Sequence, residues 1–337
     1  AVNSATSALH IACLALEVGP GDIVWTSPIT FVASANCALY CGADIDFVDI
    51  DPVTFNMCPK LLESKLQKTK LEGKKLPKVV IPVHMCGQSC DMMEIEKLGH
   101  KYGFKIIEDA SHAIGGRCEG HKIGSCEYSD ITVFSFHPVK IITTAEGGVA
   151  VTNNERFATN MELYRSHGIT RDPSHMTKVP DGPWYYEQIL LGLNYRMTDL
   201  QAALGLSQMK RLDDFVSVRH QLAARYDKLL EDLPIITPYR DPSHYSAFHL
   251  YVIRLKLNLI KSTHAQIFCG LKEMGIGVNL HYIPVHMQPY YADQGFSIGD
   301  YPVAEEYYQE AISLPLYSSM RPEDQSEIVA AIESLVK

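Results

Sequence analysis

The N-terminal part of the chain alternates between short apolar runs and amphipathic segments, and this alternation constrains the fold more than any other feature. Six runs are predicted strands: DIVWTSP from Asp22, IDFVDI from Ile45, KVVIPVHM from Lys78, FKIIEDA from Phe104, ITVFSF from Ile131 and GGVAVTN from Gly147. Helical segments separate them, for example at 30–39, 60–68 and 92–102. This order predicts an α/β domain with a mostly parallel sheet covered by helices on both faces. Ligands of such sheets bind beyond the carboxyl ends of the strands.

The pattern changes after a long helical segment at 197–233. There follow a strand-like run HLYVIRL from His249, a helix near 262–274, a strand-like run GVNLHYIPVH from Gly277 and a last helix at 322–336. We interpret this part as a smaller C-terminal α+β domain and expect the long helix to bridge the two domains. The predicted division is 1–215 for the large domain and 216–337 for the small domain.

Net charge and cysteine content limit which ligands the protein can bind and in which compartment it acts. The net charge of −9 is scattered without a basic stripe, which argues against nucleic acid and anionic membranes but permits a local site for a small anion. No run is long and apolar enough to span a bilayer. Nine dispersed cysteines predict reduced thiols in a cytoplasmic protein. The spacing of Cys37 from Cys41, and of Cys86 from Cys90, is weak evidence for metal ligands, so we expect no metal.

The stretch NSATSALH places small and hydroxyl residues, Ser4 to Ser7, directly before a predicted helix. The first turn of a helix presents free N–H groups and a partial positive charge, so Ala5 and Thr6 are candidates to bind a phosphate. An ordinary helix cap is the alternative interpretation. The chain has neither a GxxxxGK[ST] nor a GxGxxG sequence, which argues against nucleoside triphosphates and dinucleotides.

Asp109 ends a predicted buried strand in FKIIEDASHAIGG. An isolated buried carboxylate is costly, so it requires a cation or hydrogen-bond donors. A helix cap or a buried salt bridge would satisfy it, and so would the protonated ring nitrogen of a ligand. His112 could reach the same ligand across a turn, although a lone histidine is also common as a structural residue.

Lys140 follows another predicted buried strand, in VFSFHPVKIITTAEGG. Most lysines are solvated surface groups, but one held beside a buried strand loses its proton more easily and can form a Schiff base. Ser135 ends the same strand and supplies a second hydroxyl for a phosphate. Gly147 and Gly148 permit a tight backbone just beyond the lysine.

Two phosphate-binding elements, a buried carboxylate and an amine match one cofactor, pyridoxal 5'-phosphate (PLP). The helix start and Ser135 would bind its phosphate, Asp109 its ring nitrogen and Lys140 its aldehyde. Phe31, in ITFVASAN, offers a flat surface for stacking on the pyridine ring, with a core phenylalanine as the alternative.

These motifs also resemble a known family. The ordered stretches NSATSALH, TFVASAN, EDASHAIGG, SFHPVK, TTAEGG, RSHGI and LGLNYRMTDLQAALGLSQMKRLD are similar to those of DegT/StrS-type nucleotide-sugar aminotransferases, along nearly the whole chain. The resemblance implies the fold of the fold type I PLP-dependent enzymes, with a large domain and a smaller C-terminal domain. It also implies a longer N-terminus, with a loop over the substrate, so we expect part of the large domain to be missing.

The resemblance assigns roles to individual residues. Lys140 would carry the cofactor and move protons, and Asp109 would keep the pyridinium protonated. His112 would lie near the phenolic oxygen, where many relatives have glutamine. Ala5, Thr6 and Ser135 would bind phosphate, and Asn194 would reach the cofactor phosphate of the other subunit, which implies a homodimer with shared active sites. His281, Tyr282 and Ile283 match a segment that contacts the nucleotide-sugar, although that stretch could equally be a core strand.

Within the family, the pattern is most similar to members that aminate C4 of a UDP-linked 4-keto-6-deoxy-N-acetylhexosamine in the pseudaminic acid pathway, with L-glutamate as donor. The motifs hold the cofactor rather than the hexose, so amination at C3 and a dTDP- or GDP-linked keto sugar stay open. A regulatory relative that keeps the fold without the chemistry is a further alternative.

Overall fold

The computed structural model describes residues 1–337, and its elements follow the predicted alternation. Helices α1 to α11 span, in order, Ala5–Ala15, Ala33–Tyr40, Pro59–Leu71, Met92–Tyr102, Glu155–Arg165, Asp199–Met209, Leu212–Leu229, His264–Glu273, Pro289–Ala292, Pro302–Glu310 and Pro322–Val336. Strands β1 to β14 span, in order, Ile23–Thr26, Asp44–Phe47, Val79–Ile81, Lys105–Asp109, Arg117–Cys118, His121–Lys122, Ile131–Ser135, Gly148–Val151, Ile169–Thr170, Glu187–Gln188, Ile235–Ile236, His244–Tyr245, Tyr251–Leu255 and Ala311–Leu314.

The six predicted N-terminal strands form one sheet with the order β2-β1-β3-β4-β7-β8. The first five strands are parallel, and β8 pairs antiparallel with β7. Strands of parallel sheets are buried on both faces and are therefore mostly apolar: every residue of β3 and β7 is buried, and β3 is apolar throughout. The predicted mostly parallel α/β sheet is confirmed.

Helices cover both faces of this sheet. On one face, α1, α2 and α5 pack over side chains such as Val79, Ile81 and Ile107. On the other face, α3 and α4 pack over Trp25 and Val80. Because neighbouring residues of a strand point to opposite faces, the apolar run of β3 contributes to both cores.

The C-terminal part contains a three-stranded antiparallel sheet, β11-β13-β14, that packs against α7, α8 and α11. Two expectations for this part were wrong in detail: the single long helix at 197–233 and the strand from Gly277.

The segment 197–233 forms two helices, α6 and α7, because Arg211 leaves the helical conformation with φ −112° and ψ 5°.

The run from Gly277 is not a strand. It makes a single bridge, from Asn279 to Ser313, and the Asn279 side chain accepts a hydrogen bond from the N–H of Leu280 at 2.8 Å. A side chain that bonds its neighbouring backbone competes with strand pairing, and Pro284 has no N–H to donate. The segment therefore runs as an irregular loop towards the main sheet.

Helix α7 touches both cores. Val216 packs with Ala110 and Ala113 of the large sheet region, whereas Leu222 and Tyr226 pack on the C-terminal sheet. The division proposed between residues 215 and 216 falls inside this helix. No helix of the structure combines the length and the apolar character that a bilayer span requires.

Candidate active site

A cavity of about 300 Å³ opens at the carboxyl ends of β4 and β7, beside the start of α1. Eight residues predicted from the sequence line it: Ala5, Thr6, Phe31, Asp109, His112, Ser135, Lys140 and Tyr282. They come from segments far apart in the chain. The parallel topology brings them together, since strand ends meet at one edge of the sheet.

The start of α1 forms one wall of the cavity. Ser4 caps the helix, and its Oγ accepts a hydrogen bond from the N–H of Ser7 at 3.1 Å. The first intrahelical bond begins only at Ala8, so the N–H groups of Ala5 and Thr6 have no helical partner. The first turn contains no acidic residue. This wall therefore presents free donors and a partial positive charge to an anion.

Asp109 lies at the end of β4 and is only 5% exposed. Its carboxylate accepts hydrogen bonds from the Oγ of Ser34 at 2.6 Å and from the Oγ and N–H of Ser111 at 2.6 and 3.1 Å. These donors are neutral, so the buried-salt-bridge interpretation does not describe the site. The negative charge of Asp109 is available to a cationic group of a ligand.

Lys140 reaches the same cavity from the turn after β7, where its backbone N–H donates to the carbonyl of His137 at 2.9 Å. Burial lowers the pKa of its amine to about 8, and the nearby Asp109 carboxylate opposes this shift. A lower pKa raises the fraction of neutral amine at neutral pH. The neutral amine is the form that attacks an aldehyde and accepts a proton.

His112 is buried beside Tyr282, with its Nε2 3.1 Å from the tyrosine hydroxyl. Burial holds the pKa of His112 well below its usual range, and the charge of Lys140 lowers it further. Burial also raises the pKa of Tyr282. Both side chains are therefore neutral at neutral pH, and they can donate or accept a hydrogen bond without bringing a charge into the cavity.

The profile of the DegT/DnrJ/EryC1/StrS aminotransferase family matches residues 1–333. The chain belongs to that family. The match to the family confirms the resemblance given by the sequence motifs, and the site geometry described above agrees with it.

Three relatives of this family member illustrate its range. The spore coat polysaccharide biosynthesis protein SpsC of Bacillus subtilis is 39% identical over the whole chain and 85% of its own length. GDP-perosamine synthase of Caulobacter vibrioides is 35% identical with the same coverage. The structure of Helicobacter pylori PseC, an aminotransferase involved in the biosynthesis of pseudoaminic acid, superposes with a TM-score of 0.88 at 30% identity, over 99% of this chain and 85% of that one.

The protein is thus a PLP-dependent sugar aminotransferase. The residues of the cavity fit the cofactor: free N–H donors for a phosphate, a buried carboxylate for a ring nitrogen and an amine for an aldehyde. Phe31 is 58% exposed, so it is a wall of the cavity and not a core residue. An exposed aromatic face suits a flat ring.

Three predicted residues do not line this cavity. His281 binds the Ser313 hydroxyl through Nδ1 at 2.8 Å, Ile283 is 45% exposed, and Asn194 is exposed in a bridge to Ser166. The proposed contact of Asn194 involves a second subunit. The roles of these three residues stay predictions.

Sequence reasoning missed several residues of the site. Ser34 and Ser111 hold the Asp109 carboxylate, and His137 and Glu146 face each other at 3.7 Å on the cavity wall. Each lies inside a motif already singled out, and Ser111 and His137 lie two residues beyond the ends of β4 and β7. The sequence does not show which of the many serines donate hydrogen bonds to the buried Asp109 carboxylate.

Gly148 holds the start of α1, the proposed phosphate-binding wall, in place. It exchanges backbone hydrogen bonds with Val2 at 2.9 and 3.0 Å. A Cβ at this position would lie 2.6 Å from the N of Ala5 and 2.7 Å from the C of Ser4. The close approach of β8 to the start of α1 therefore requires glycine.

We expect Gly148→Ala to weaken PLP binding by about tenfold or more, because overpacking of this kind costs about 1–3 kcal/mol and displaces the free N–H groups of α1. Titration of the apoprotein with PLP, followed by absorbance, measures the change. Gly19→Ala is the matched control, since a Cβ there meets nothing within 4 Å. Equal affinities of the two variants would contradict the proposed role of this wall.

Proposed function

We propose that this family member transfers the amino group of L-glutamate to C4 of a UDP-linked 4-keto-6-deoxy-N-acetylhexosamine, as in pseudaminic acid biosynthesis. The observation that carries transamination is the single cavity that joins Lys140, Asp109 and the start of α1. The choice of sugar is supported by the similarity to PseC over 99% of the chain.

Bound PLP supplies an aldehyde that accepts the amino group and a ring that takes up electrons. The chain supplies the rest. The Nζ of Lys140 takes a proton from Cα of glutamate and, in the second half-reaction, delivers one to C4 of the keto sugar. Asp109 would hold the proton of the ring nitrogen, and neutral His112 would give a hydrogen bond at the phenolic oxygen.

The alternatives differ in the sugar and not in the cofactor site. Amination at C3, or of a dTDP- or GDP-linked keto sugar, would use the same Lys140 and Asp109. The 35% identity to GDP-perosamine synthase is a specific reason to test a GDP-linked sugar. A non-catalytic relative would not need the amine and the carboxylate to share one cavity.

A competition assay tests the proposed substrate. The holoenzyme is given glutamate and an equimolar mixture of UDP-, dTDP- and GDP-linked keto sugars, and the products are separated by mass spectrometry. We expect the UDP-linked 4-amino sugar to form first, with the amine placed at C4 by NMR. Preferential amination of another sugar, or amination at C3, would overturn the choice of substrate while leaving the transaminase assignment intact.

We further propose a homodimer with shared active sites. Helix α6 has no buried residue, and Leu200 on it is 86% exposed. Leu191, Leu206 and Trp184 are also largely exposed. The segment 184–206 thus exposes several large apolar side chains, as does a surface that another protein covers. Asn194 lies within it, which supports its proposed contact with the cofactor phosphate of a second copy.

We expect the double substitution Leu200→Glu and Leu206→Glu to yield a monomer with little activity, because two buried charges would oppose association. Light scattering after size-exclusion chromatography gives the mass in solution. Leu71→Glu is the control, because Leu71 is 88% exposed on α3, far along the chain from this stretch. A dimer that survives the double substitution would argue against α6 as the interface.

The cysteines support a reducing compartment. All nine are free, and most are buried in the core. Free buried thiols persist where disulfides do not form, so we propose that the protein acts in the cytoplasm.

A further inference from the structure

A second buried histidine, His249, lies against His112 without lining the cavity. The centroids of the two rings are 4.5 Å apart, with an angle of 42° between their planes. His249 is only 5% exposed. The Nδ1 atoms of both histidines are buried without a hydrogen-bond partner.

The backbone around His249 is fixed from two directions. The guanidinium of Arg219, on α7, donates to the carbonyl of His249 at 3.1 Å and to that of Phe248 at 3.0 Å. Gly87 packs so closely that a Cβ there would lie 3.0 Å from the N of His249 and 2.9 Å from the carbonyl oxygen of His112. The two histidines are therefore held against each other by their main chains.

The orientation of His112 depends on its ring contacts. Its one hydrogen bond, from Nε2 to the Tyr282 hydroxyl at 3.1 Å, leaves the Nδ1 side unrestrained. Rotation of the His112 ring about its Cβ–Cγ bond is then limited by the neighbouring rings of His249 and Tyr282. The ring of Tyr282 is nearly parallel to that of His112, with 23° between the planes and 6.1 Å between the centroids. Tight packing of aromatic rings restricts such rotation.

We propose that His249 is a positioning residue that fixes the plane of the His112 ring where His112 lines the cofactor cavity. Burial is the main cause that lowers the pKa of each histidine, and Lys140 adds to it, so the contact joins two neutral rings. The proposal rests on the proposed role of His112 at the phenolic oxygen of PLP.

The test is the affinity of the apoprotein for PLP, measured by absorbance titration. We expect His249→Ala to weaken binding by about tenfold, within the range found for residues in direct contact. His249→Phe keeps an aromatic ring and should stay within about threefold of the wild type. His220→Ala is the matched control: His220 stacks on Tyr245 at 4.1 Å and bonds the carbonyl of Ser246, outside the cavity.

A double-mutant cycle separates positioning from general stability. If His249 acts through His112, then His249→Ala has no further effect in a His112→Ala background. The same loss of affinity in both backgrounds, or no loss in the wild-type background, would overturn the proposal. If His249→Ala does not fold, His249→Gln fills the space without a ring and enters the same cycle.

The readout does not depend on the sugar. A wrong sugar substrate therefore leaves the cycle unaffected. Failure of the wild-type protein to bind PLP through Lys140 would instead count against the proposed function.

Discussion

Replacing Lys140 with alanine is expected to abolish transamination. Proton transfer by a positioned group contributes about a hundredfold to ten-thousandfold to a rate, and in our proposal Lys140 also carries the cofactor, so we expect a loss of at least about a thousandfold. No other lysine lines the cavity, so none is in place to substitute for Lys140. Initial rates with glutamate and the keto sugar measure the loss, and the absorbance of the lysine-linked cofactor should disappear with it.

Two further variants make this result specific to the amine. Lys140→Arg keeps a positive charge but cannot bond the aldehyde, so it should be as inactive as the alanine variant. Lys122→Ala removes an exposed lysine on β6 and should leave the rate unchanged. Circular dichroism shows whether each variant is folded. A folded Lys140→Ala protein with the wild-type rate would refute the assignment of Lys140.

The main sheet and most of the cavity could be predicted from the sequence for one physical reason. Strands buried on both faces leave continuous apolar runs, and the residues that directly follow such runs must share an edge of the sheet. Asp109, Ser135 and Lys140 all end or follow one of these runs, and they share one cavity. Ala5 and Thr6 could also be predicted as cavity residues, because small and hydroxyl residues before a helical segment mark the start of a helix in the local sequence.

The strand that the sequence missed and the strand that it wrongly predicted, both in the C-terminal part, depend on contacts distant in sequence. Strand β14 follows directly on α10, and its pairing with β13 joins segments that no local pattern connects. The sequence predicts a strand after Gly277, but the apolar residues of this loop have different surroundings: Val285 is in the core and Ile283 is exposed. Tyr282 lines the cavity and His281 does not. The pattern of apolar residues in the sequence does not distinguish these two neighbours.

Asp109→Asn is expected to lower turnover by about a hundredfold or more while leaving the fold intact. The amide has nearly the same shape and can still bond Ser34 and Ser111. What it loses is the negative charge that, in our proposal, holds a proton on the ring nitrogen, and charge stabilisation of a reacting group is worth about this much. The ratio of the rates of the two proteins, at saturating glutamate and keto sugar, measures the effect.

Asp241 offers a matched control for this substitution. Its carboxylate accepts hydrogen bonds from the N–H and Oγ of Ser243 at 2.9 and 2.6 Å, the same local arrangement that Asp109 forms with Ser111. Asp241 does not line the cavity, so Asp241→Asn should leave turnover within about twofold of the wild type, because surface changes away from a site have small effects. Similar losses in both variants would show that the carboxylate of Asp109 acts on the local turn and not on the cofactor ring.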